Sequence, residues 1–208
     1  MEALLFGICN FLDEPEDEMM KVWKREFHFL TIKFNINEVR INPKFSKLRP
    51  PNFPTIRLSQ LANLYHYQPN LFSKIVEALT IDDLYLIFDN ISASEYWDNH
   101  FNFGKVSTVE SPKVLSKDFI DLIIINAILP IKYFYQKNHN PEIVDDIFDL
   151  YKQLKPEKNS ILDEWKNLGL KFGNALQTQA FLYQYKTFCT QKKCLNCSIG
   201  FQLLKSHD

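Results

Sequence analysis

Apolar residues recur at helical spacing along most of this chain, and this periodicity constrains the fold more than any other feature. In residues 141–155, PEIVDDIFDLYKQLK, one face carries the apolar side chains Ile143, Ile147, Leu150, Tyr151 and Leu154. Residues 54–67 repeat the pattern after an opening proline, through Leu58, Leu61, Ala62 and Tyr65. The best strand candidate, residues 38–43, is short and ends in a proline. The sequence therefore predicts an all-α fold.

The same spacing predicts further helices over residues 2–12, 17–35, 70–79, 81–89, 117–136, 161–168 and 174–188. Residues 38–53 and 99–116 are expected to be irregular. No segment repeats with a period of about 20–50 residues, which argues against a solenoid. We expect residues 1–208 to form one irregular multi-helix domain with a Pro/Arg-rich loop and a short Cys-containing C-terminal segment.

Three sequence features bear on the location of the protein. The N-terminus, MEALLFGICNFL, has Glu2 where a signal peptide carries basic residues. The apolar run 119–135 is interrupted by charged residues, an asparagine and a proline, so it predicts a buried helix rather than a membrane span. Three of the four cysteines are clustered, unlike a secreted disulfide framework. We expect a cytoplasmic protein with no membrane partner.

Charge is segregated along the chain although the formal net charge is only −1. Residues 39–76 and residues 165–207 contain no Asp or Glu, and each of these windows contains six basic residues. Aromatic residues are interleaved with the bases of the first window: Phe45, Phe53, Tyr65, Tyr67 and Phe72. Cations that neutralise phosphates, together with rings that stack on bases, are what single-stranded nucleic acid requires. The alternative is that the rings are core residues and the bases pair with internal acids.

Within the first window, LRPPNFPTIR places Arg49 on a stiff, proline-rich loop and Arg57 one turn into the following helix. Guanidinium groups held in this way suit phosphate or carboxylate. They could equally cap a helix or bind an internal carboxylate. The predicted anion-binding residues are Arg40, Lys44, Lys47, Arg49, Arg57, Lys192 and Lys193.

The segment FCTQKKCLNCSIG (188–200) contains Cys189, Cys194 and Cys197 at the spacing C-x4-C-x2-C. Two thiolates separated by two residues can hold one zinc ion, and the full spacing is also that of plant-type iron–sulfur ferredoxins. Either site needs a fourth ligand, and only Cys9, expected in the core, and His207 are candidates. A redox pair favoured by Lys192 and Lys193, or three core thiols, remain alternatives.

Motifs of the common enzyme classes are absent, including G-x-S-x-G, the P-loop, G-x-G-x-x-G and H-E-x-x-H. In SEYWDNHFNFG (94–104), Glu95, Asp98 and His100 could supply an acid/base pair or ligate a hard metal. The aromatic residues around them favour a packing segment instead.

Several stretches taken together resemble a bacterial family, domain of unknown function 2851: EALLFG, RPPNFPTIRLSQLA, YWDNHFNFG, IIINAILP, PEKNSI, TQAFLYQY and FCTQKKCLNCSIG. The resemblance runs from about residue 2 to residue 204. It implies that this chain corresponds to the C-terminal part of longer members, whose upstream region has signatures reminiscent of restriction-endonuclease-like nucleases. This chain contains no such signature. The resemblance includes Cys189, Cys194 and Cys197 but assigns them no role.

These features lead to three functional hypotheses. The first is a non-catalytic helical module that binds nucleic acid or another polyanion through a basic face formed by the two windows. The second is the helical half of a nuclease-like enzyme whose active site lies in a missing domain or a separate chain. The third is a structural scaffold in which the basic windows neutralise acidic segments. Zinc or an iron–sulfur cluster at the cysteines is compatible with the first hypothesis.

Overall fold

The computed structural model describes residues 1–36 and 40–205 and confirms the predicted helical fold. The α-helices are, in chain order, α1 (Glu2–Ile8), α2 (Glu18–Lys33), α3 (Pro54–Tyr67), α4 (Leu71–Glu77), α5 (Ile81–Ile87), α6 (Lys117–Ile123), α7 (Leu129–His139), α8 (Asp146–Gln153), α9 (Ser160–Asn167), α10 (Ala175–Gln184) and α11 (Ser198–Lys205). Short 3₁₀ turns cover Pro50–Asn52, Glu95–Asn99, Pro141–Ile143 and Cys194–Asn196. Helix α11 was missed by the sequence prediction.

One hairpin interrupts the segment predicted to be irregular. Strands β1 (His100–Asn102) and β2 (Lys105–Val106) pair antiparallel, with His100 opposite Val106. Gly104 turns the chain between them with a φ of 64°, which a residue without a Cβ adopts readily. In the predicted strand 38–43, residues 38 and 39 lie outside the described residues, and residues 40–43 are not in a strand.

Side-chain caps explain where several helices begin. The Asp17 carboxylate accepts from Met20 N at 2.8 Å at the start of α2, and the Asn159 amide oxygen accepts from Leu162 N at 3.0 Å at the start of α9. These bonds satisfy backbone N–H groups that have no partner within the first turn. The sequence located these two helices by their apolar spacing, and the caps explain why they begin where they do.

The chain divides into two compact units, residues 1–74 with 85–117 and residues 75–84 with 118–208. The prediction of a single domain stays a prediction. The core of the first unit is aromatic: Phe6 contacts Trp23 and Trp97 with ring centroids 5.1 and 5.6 Å apart, both edge-on. Aromatic rings packed edge to face stabilise a core beyond the area that they bury.

Helix α3 presents a different face to the core of the first unit from the one predicted. Leu61 and Tyr65 are exposed, whereas Thr55, Ser59 and Gln60 are buried. The predicted apolar stripe was therefore wrong at Leu61 and Tyr65.

The buried polar residues of α3 donate hydrogen bonds to backbone carbonyls that pack against the helix. Thr55 Oγ donates to the carbonyl of Phe101 in β1 at 2.7 Å, and Gln60 Nε2 donates to the carbonyl of Lys113 at 2.7 Å. The Lys113 carbonyl also accepts from Ala93 N at 3.0 Å. Polar side chains can be buried on this face because they have hydrogen-bond partners there.

The second unit contains a π-helical turn, Ile124–Ile128, between α6 and α7. Leu129 N donates to the carbonyl of Ile124, five residues back, and Pro130 has no N–H to continue the series. The Ile125 carbonyl is thereby left without a helical donor. Tyr151 Oη on α8 donates to it at 2.9 Å, and burial raises the pKa of Tyr151 to about 12.

Lys132 on α7 is 1% exposed, and its ammonium group caps the end of α4 within the second unit. Its Nζ donates to the carbonyls of Ile75, Val76 and Ala78 at 2.8 to 2.9 Å. Three donors meet three acceptors, so the buried charge is fully bonded. Burial lowers the pKa of Lys132, and Asp83 partly offsets that effect.

Within the described residues, no helix is long and apolar enough to cross a membrane.

Candidate anion-binding loop and cysteine segment

The Pro/Arg-rich segment forms a loop over residues 40–53 that is fixed to the first unit by aromatic packing. The Phe45 ring lies 5.1 Å from that of Phe53 and 5.8 Å from that of Phe11, edge-on in both pairs. The 3₁₀ turn Pro50–Asn52 is closed by Asn52 N donating to the Arg49 carbonyl at 2.8 Å. Proline rings and half-buried phenyl groups thus hold the backbone from which the cations project.

Three cations of this loop, Lys44, Lys47 and Arg49, are exposed, and their side chains make no hydrogen bond or ion pair with any described residue. Lys47 adopts a left-handed φ of 64°, which is costly for a residue with a Cβ and marks a constrained turn. We name these three residues the cationic loop. Fixed backbone and free charge are the properties expected of a surface that meets an anion.

Arg40 and Arg57 are bonded internally, which is the structural alternative considered for such arginines. Arg40 Nη1 lies 3.0 Å from Asp13 Oδ2 and 3.0 Å from Asn10 Oδ1. Arg57 is half-buried, donates to Gln60 Oε1 at 2.8 Å, and has its pKa lowered by burial to about 10. Both side chains tie the ends of the segment to the fold, so we leave them out of the cationic loop.

A cavity of about 400 Å³ lies beside the start of the loop. Phe45 is in its wall, together with three acids, Asp13, Glu14 and Glu16, and one cation, Lys105, so the lining is negative overall. These acids would repel a phosphate group. An anionic ligand is therefore favoured at Lys47 and Arg49 rather than at the acidic end of the loop.

The aromatic residues of the first window separate into two groups. Phe45 and Phe53 pack within the first unit, whereas Tyr65, Tyr67 and Phe72 are 53%, 63% and 54% exposed. Tyr65 shares a face of α3 with Leu61 and lies about 18 Å along the helix from Phe53, the last residue of the loop, at 1.5 Å per residue. Residues 54–60 are buried or half-buried, so Tyr65 is an exposed ring towards the far end of the helix that follows the loop.

The remaining predicted anion-binding residues, Lys192 and Lys193, are exposed on a turn in the second unit. Lys192 has a left-handed φ of 54°, and Lys193 N closes the turn by donating to the Phe188 carbonyl at 2.9 Å. The two basic windows therefore supply cations to different units.

The structure brings the three C-terminal cysteines into one segment with unequal environments. Cys189 and Cys194 are exposed and Cys197 is buried. The Cys197 sulfur accepts from Gln184 Nε2 at 2.7 Å and from Gly200 N at 3.4 Å. Burial raises the pKa of Cys189, and the neighbouring Cys197 and Cys194 raise it further, which disfavours a reactive thiolate.

Among the described residues, no group of three or more His, Cys, Asp or Glu side chains is arranged to hold a metal ion. The structure thus gives no support to zinc or an iron–sulfur cluster at Cys189, Cys194 and Cys197, because Cys197 is buried and directed towards amide donors. His207, a candidate fourth ligand, lies outside the described residues. Cys9 is buried and burial raises its pKa, as expected of a core thiol.

The acid/base candidates of residues 94–104 belong to a packing arrangement. His100 stacks on Tyr96 with ring centroids 4.2 Å apart, and its Nδ1 lies 2.8 Å from the Tyr96 carbonyl. Tyr96 Oη donates to Asp17 Oδ2 at 2.6 Å. Burial raises the pKa of Tyr96, and the bond to Asp17 reinforces the shift. Tyr96 therefore ties the hairpin to the N-terminal cap of α2.

A family model described as a protein of unknown function, DUF2851, matches residues 1–160. The chain belongs to this family. The match confirms the resemblance found in the sequence and covers the cationic loop, whereas the cysteine segment lies beyond the matched residues. No curated protein and no solved structure matches this DUF2851 chain.

Sequence reasoning missed the polar residues that organise the DUF2851 fold, namely Lys132, Tyr151 and the buried face of α3. It also missed the exposed apolar helix α11. Pro130 within an apolar run was the available signal for a freed carbonyl at the π turn, since proline removes a donor. No local signal marked Lys132, because the carbonyls that it binds lie more than 50 residues away in sequence.

Proposed function

We propose that this chain is a non-catalytic module that binds polyanions at the cationic loop, with single-stranded nucleic acid as the preferred ligand. The supporting observation is that Lys44, Lys47 and Arg49 are exposed and unpaired among the described residues, on a loop fixed by Phe45 and Phe53. Phosphates would lie against Lys47 and Arg49, away from the acidic cavity. The cytoplasmic location predicted from the sequence is compatible with such a ligand.

Single strands are favoured over duplexes because α3, the helix that follows the loop, exposes an aromatic ring towards its C-terminal end. A strand with its phosphates at the cationic loop could run along Leu61 and stack a base on Tyr65, which is 53% exposed. The positive N-terminal end of α3 lies next to the loop and adds to the attraction for phosphate. A duplex would leave Tyr65 without a stacking partner.

The test is fluorescence anisotropy with a labelled oligothymidine of about 12 nucleotides, between about 50 and 200 mM salt. Replacing Lys44, Lys47 and Arg49 by Ala should weaken binding at least tenfold. The slope of log affinity against log salt should fall by about 2, since three phosphate contacts are lost at about 0.7 each. Tyr65→Ala should weaken binding of the oligothymidine but leave a duplex unaffected.

The matched control removes three charges that already have partners. Lys21, Lys152 and Lys166 are paired with carboxylates three residues away at 2.6 to 3.0 Å. Their triple replacement by Ala changes the net charge equally and should alter binding less than twofold. Equal losses in both triple variants, or no binding by the unaltered chain, would exclude the proposal and leave the scaffold hypothesis.

A further inference from the structure

The acid-free C-terminal window exposes large apolar side chains in the second unit. Between residues 165 and 205, the side chains of Leu168, Tyr183, Leu195, Ile199, Phe201, Leu203 and Leu204 are 49–76% exposed. Helix α11 contributes four of these and has no buried residue. A helix whose large apolar side chains are all exposed differs from the scattered apolar residues of ordinary protein surface and indicates an interaction site.

The orientation of α11 is the reverse of a normal surface helix. Its smallest residue, Gly200, faces the preceding 3₁₀ turn Cys194–Asn196: a Cβ there would lie 2.6 Å from the Cys194 carbonyl oxygen. The helix is joined to the preceding turn by Phe201 N donating to the Cys197 carbonyl at 2.8 Å. Close approach at glycine thus leaves Leu195 and the large residues of α11 at the surface. We name residues 194–205 the apolar tip.

Cations flank the apolar tip on both sides in sequence. Lys186, Lys192 and Lys193 precede it, Lys205 ends it, and all four are exposed without an ion pair to a described residue. Residues 165–205 contain no Asp or Glu to oppose them. The occupant of this surface must therefore accept aliphatic side chains and carry negative charge next to its apolar part.

We propose that the apolar tip and its flanking lysines bind the surface of an anionic lipid bilayer. Aliphatic side chains gain little by stacking on bases but gain by transfer into hydrocarbon, while lysines meet the lipid phosphates. A groove on a partner protein would contact apolar residues along only one face of the helix. Here the exposed residues of α11 spread over about 200° of the helix at 100° per residue, and a bilayer accommodates such a spread.

This proposal differs from the expectation of no membrane partner. That expectation rested on the lack of a spanning segment, whereas surface attachment needs only an exposed apolar element with nearby cations. Exposure of α11 could not be read from the sequence. The site lies in the second unit, and the inference does not depend on nucleic-acid binding at the cationic loop.

The test is flotation of the full chain with vesicles of phosphatidylglycerol and phosphatidylcholine in equal parts, compared with phosphatidylcholine alone. We expect the protein to float with the anionic vesicles at least tenfold more than with the neutral ones. The double variant Leu195→Ser/Leu203→Ser should lose about tenfold of this binding. The double variant Lys192→Ala/Lys193→Ala should also float less than the unaltered chain. This loss should grow as the fraction of phosphatidylglycerol in the vesicles is raised, because the lysines meet the lipid phosphates.

The matched control is Leu79→Ser/Leu86→Ser, which alters two leucines that are 79% and 67% exposed outside the apolar tip. It should float as the unaltered chain does. Equal loss in both leucine variants, or no preference for anionic vesicles, would overturn the proposal. A concentration-dependent dimer in ultracentrifugation that Leu195→Ser/Leu203→Ser abolishes, without flotation, would assign the tip to a second copy instead.

The two proposals fail separately. The Lys44, Lys47 and Arg49 triple variant should still float, and Leu195→Ser/Leu203→Ser should still bind the oligothymidine. If both variants lost both activities, neither surface would have been identified.

Discussion

Replacing Tyr151 by Phe removes the donor that serves the Ile125 carbonyl and keeps the ring that packs around it. Ile125 is 1% exposed, and at the π turn Pro130 offers its carbonyl no N–H, so no donor is in place to replace the hydroxyl. A buried acceptor left unsatisfied costs about 1–3 kcal/mol, and we expect about 2 kcal/mol. With a urea m-value of about 2 kcal/mol/M, the unfolding midpoint should fall by roughly 1 M.

The control for Tyr151→Phe is Tyr183→Phe, the same chemical change at a tyrosine that is 68% exposed. It should change the free energy of unfolding by less than about 0.5 kcal/mol. Both variants are compared by urea unfolding followed by far-ultraviolet circular dichroism. Tyr151→Phe within error of Tyr183→Phe would refute the assignment of the hydroxyl as the essential donor.

A double-mutant cycle with Pro130→Ala tests the cause directly. Alanine restores an N–H at position 130, directed back towards the carbonyls that the proline leaves unserved. The cost of Tyr151→Phe should therefore fall by about 1 kcal/mol in the Pro130→Ala background, measured as a coupling energy. Strict additivity of the two changes would show that the hydroxyl does not compensate for the proline.

The pH dependence of stability tests separately that the Tyr151 hydroxyl is buried in its neutral form. The pKa of Tyr151 is raised from 10.0 to about 12 in the folded chain. Above pH 10 the unfolded chain loses its proton first, so the contribution of Tyr151 is complete below pH 10 and is lost as the pH rises towards 12. The stability difference between the unaltered chain and Tyr151→Phe should therefore shrink over this interval.

Two further substitutions test the packing of each unit. Lys132→Met should lower the free energy of unfolding by about 2–3 kcal/mol, because three carbonyls lose a charged donor. The control is Lys137→Met, at an exposed position of the same helix, which should change this free energy by less than about 0.5 kcal/mol in the same urea assay. Gly7→Ala should lower the melting temperature, because its Cβ would overlap the ring of Phe27 and overpacking costs about 1–3 kcal/mol. Gly173→Ala meets only the flexible end of a glutamine at 3.5 Å and should leave the melting temperature nearly unchanged.

Local features were predictable because their causes are local. Apolar periodicity located α2 and α9 to within about two residues. The π turn Ile124–Ile128 lies within residues 117–136, which the sequence predicted to be one continuous helix. The periodicity of α3 indicated the wrong inner face, because Thr55 and Gln60 are buried by hydrogen bonds to carbonyls that lie 46 and 53 residues away in sequence.

Some features of the candidate sites were likewise predictable from the sequence, and others were not. The sequence located the acid-free windows and the cationic loop, since charge is counted along the chain. It could not separate Arg49 from Arg57, because only the structure shows that the Arg57 guanidinium is half-buried and bonded to Gln60. It also could not show that Cys197 is buried while Cys189 is exposed.

The sequence by itself determined the helical class, the family and the segregation of charge, because these depend on residue order and short-range free energies. The tertiary structure alone decided which charges are free, which polar groups are buried and which apolar residues remain at the surface. Those outcomes depend on partners distant in sequence: Lys132 meets carbonyls 54 to 57 residues away, and Arg40 meets an acid 27 residues away. Whether a side chain is free to bind depends on such contacts, and the order of residues does not state them.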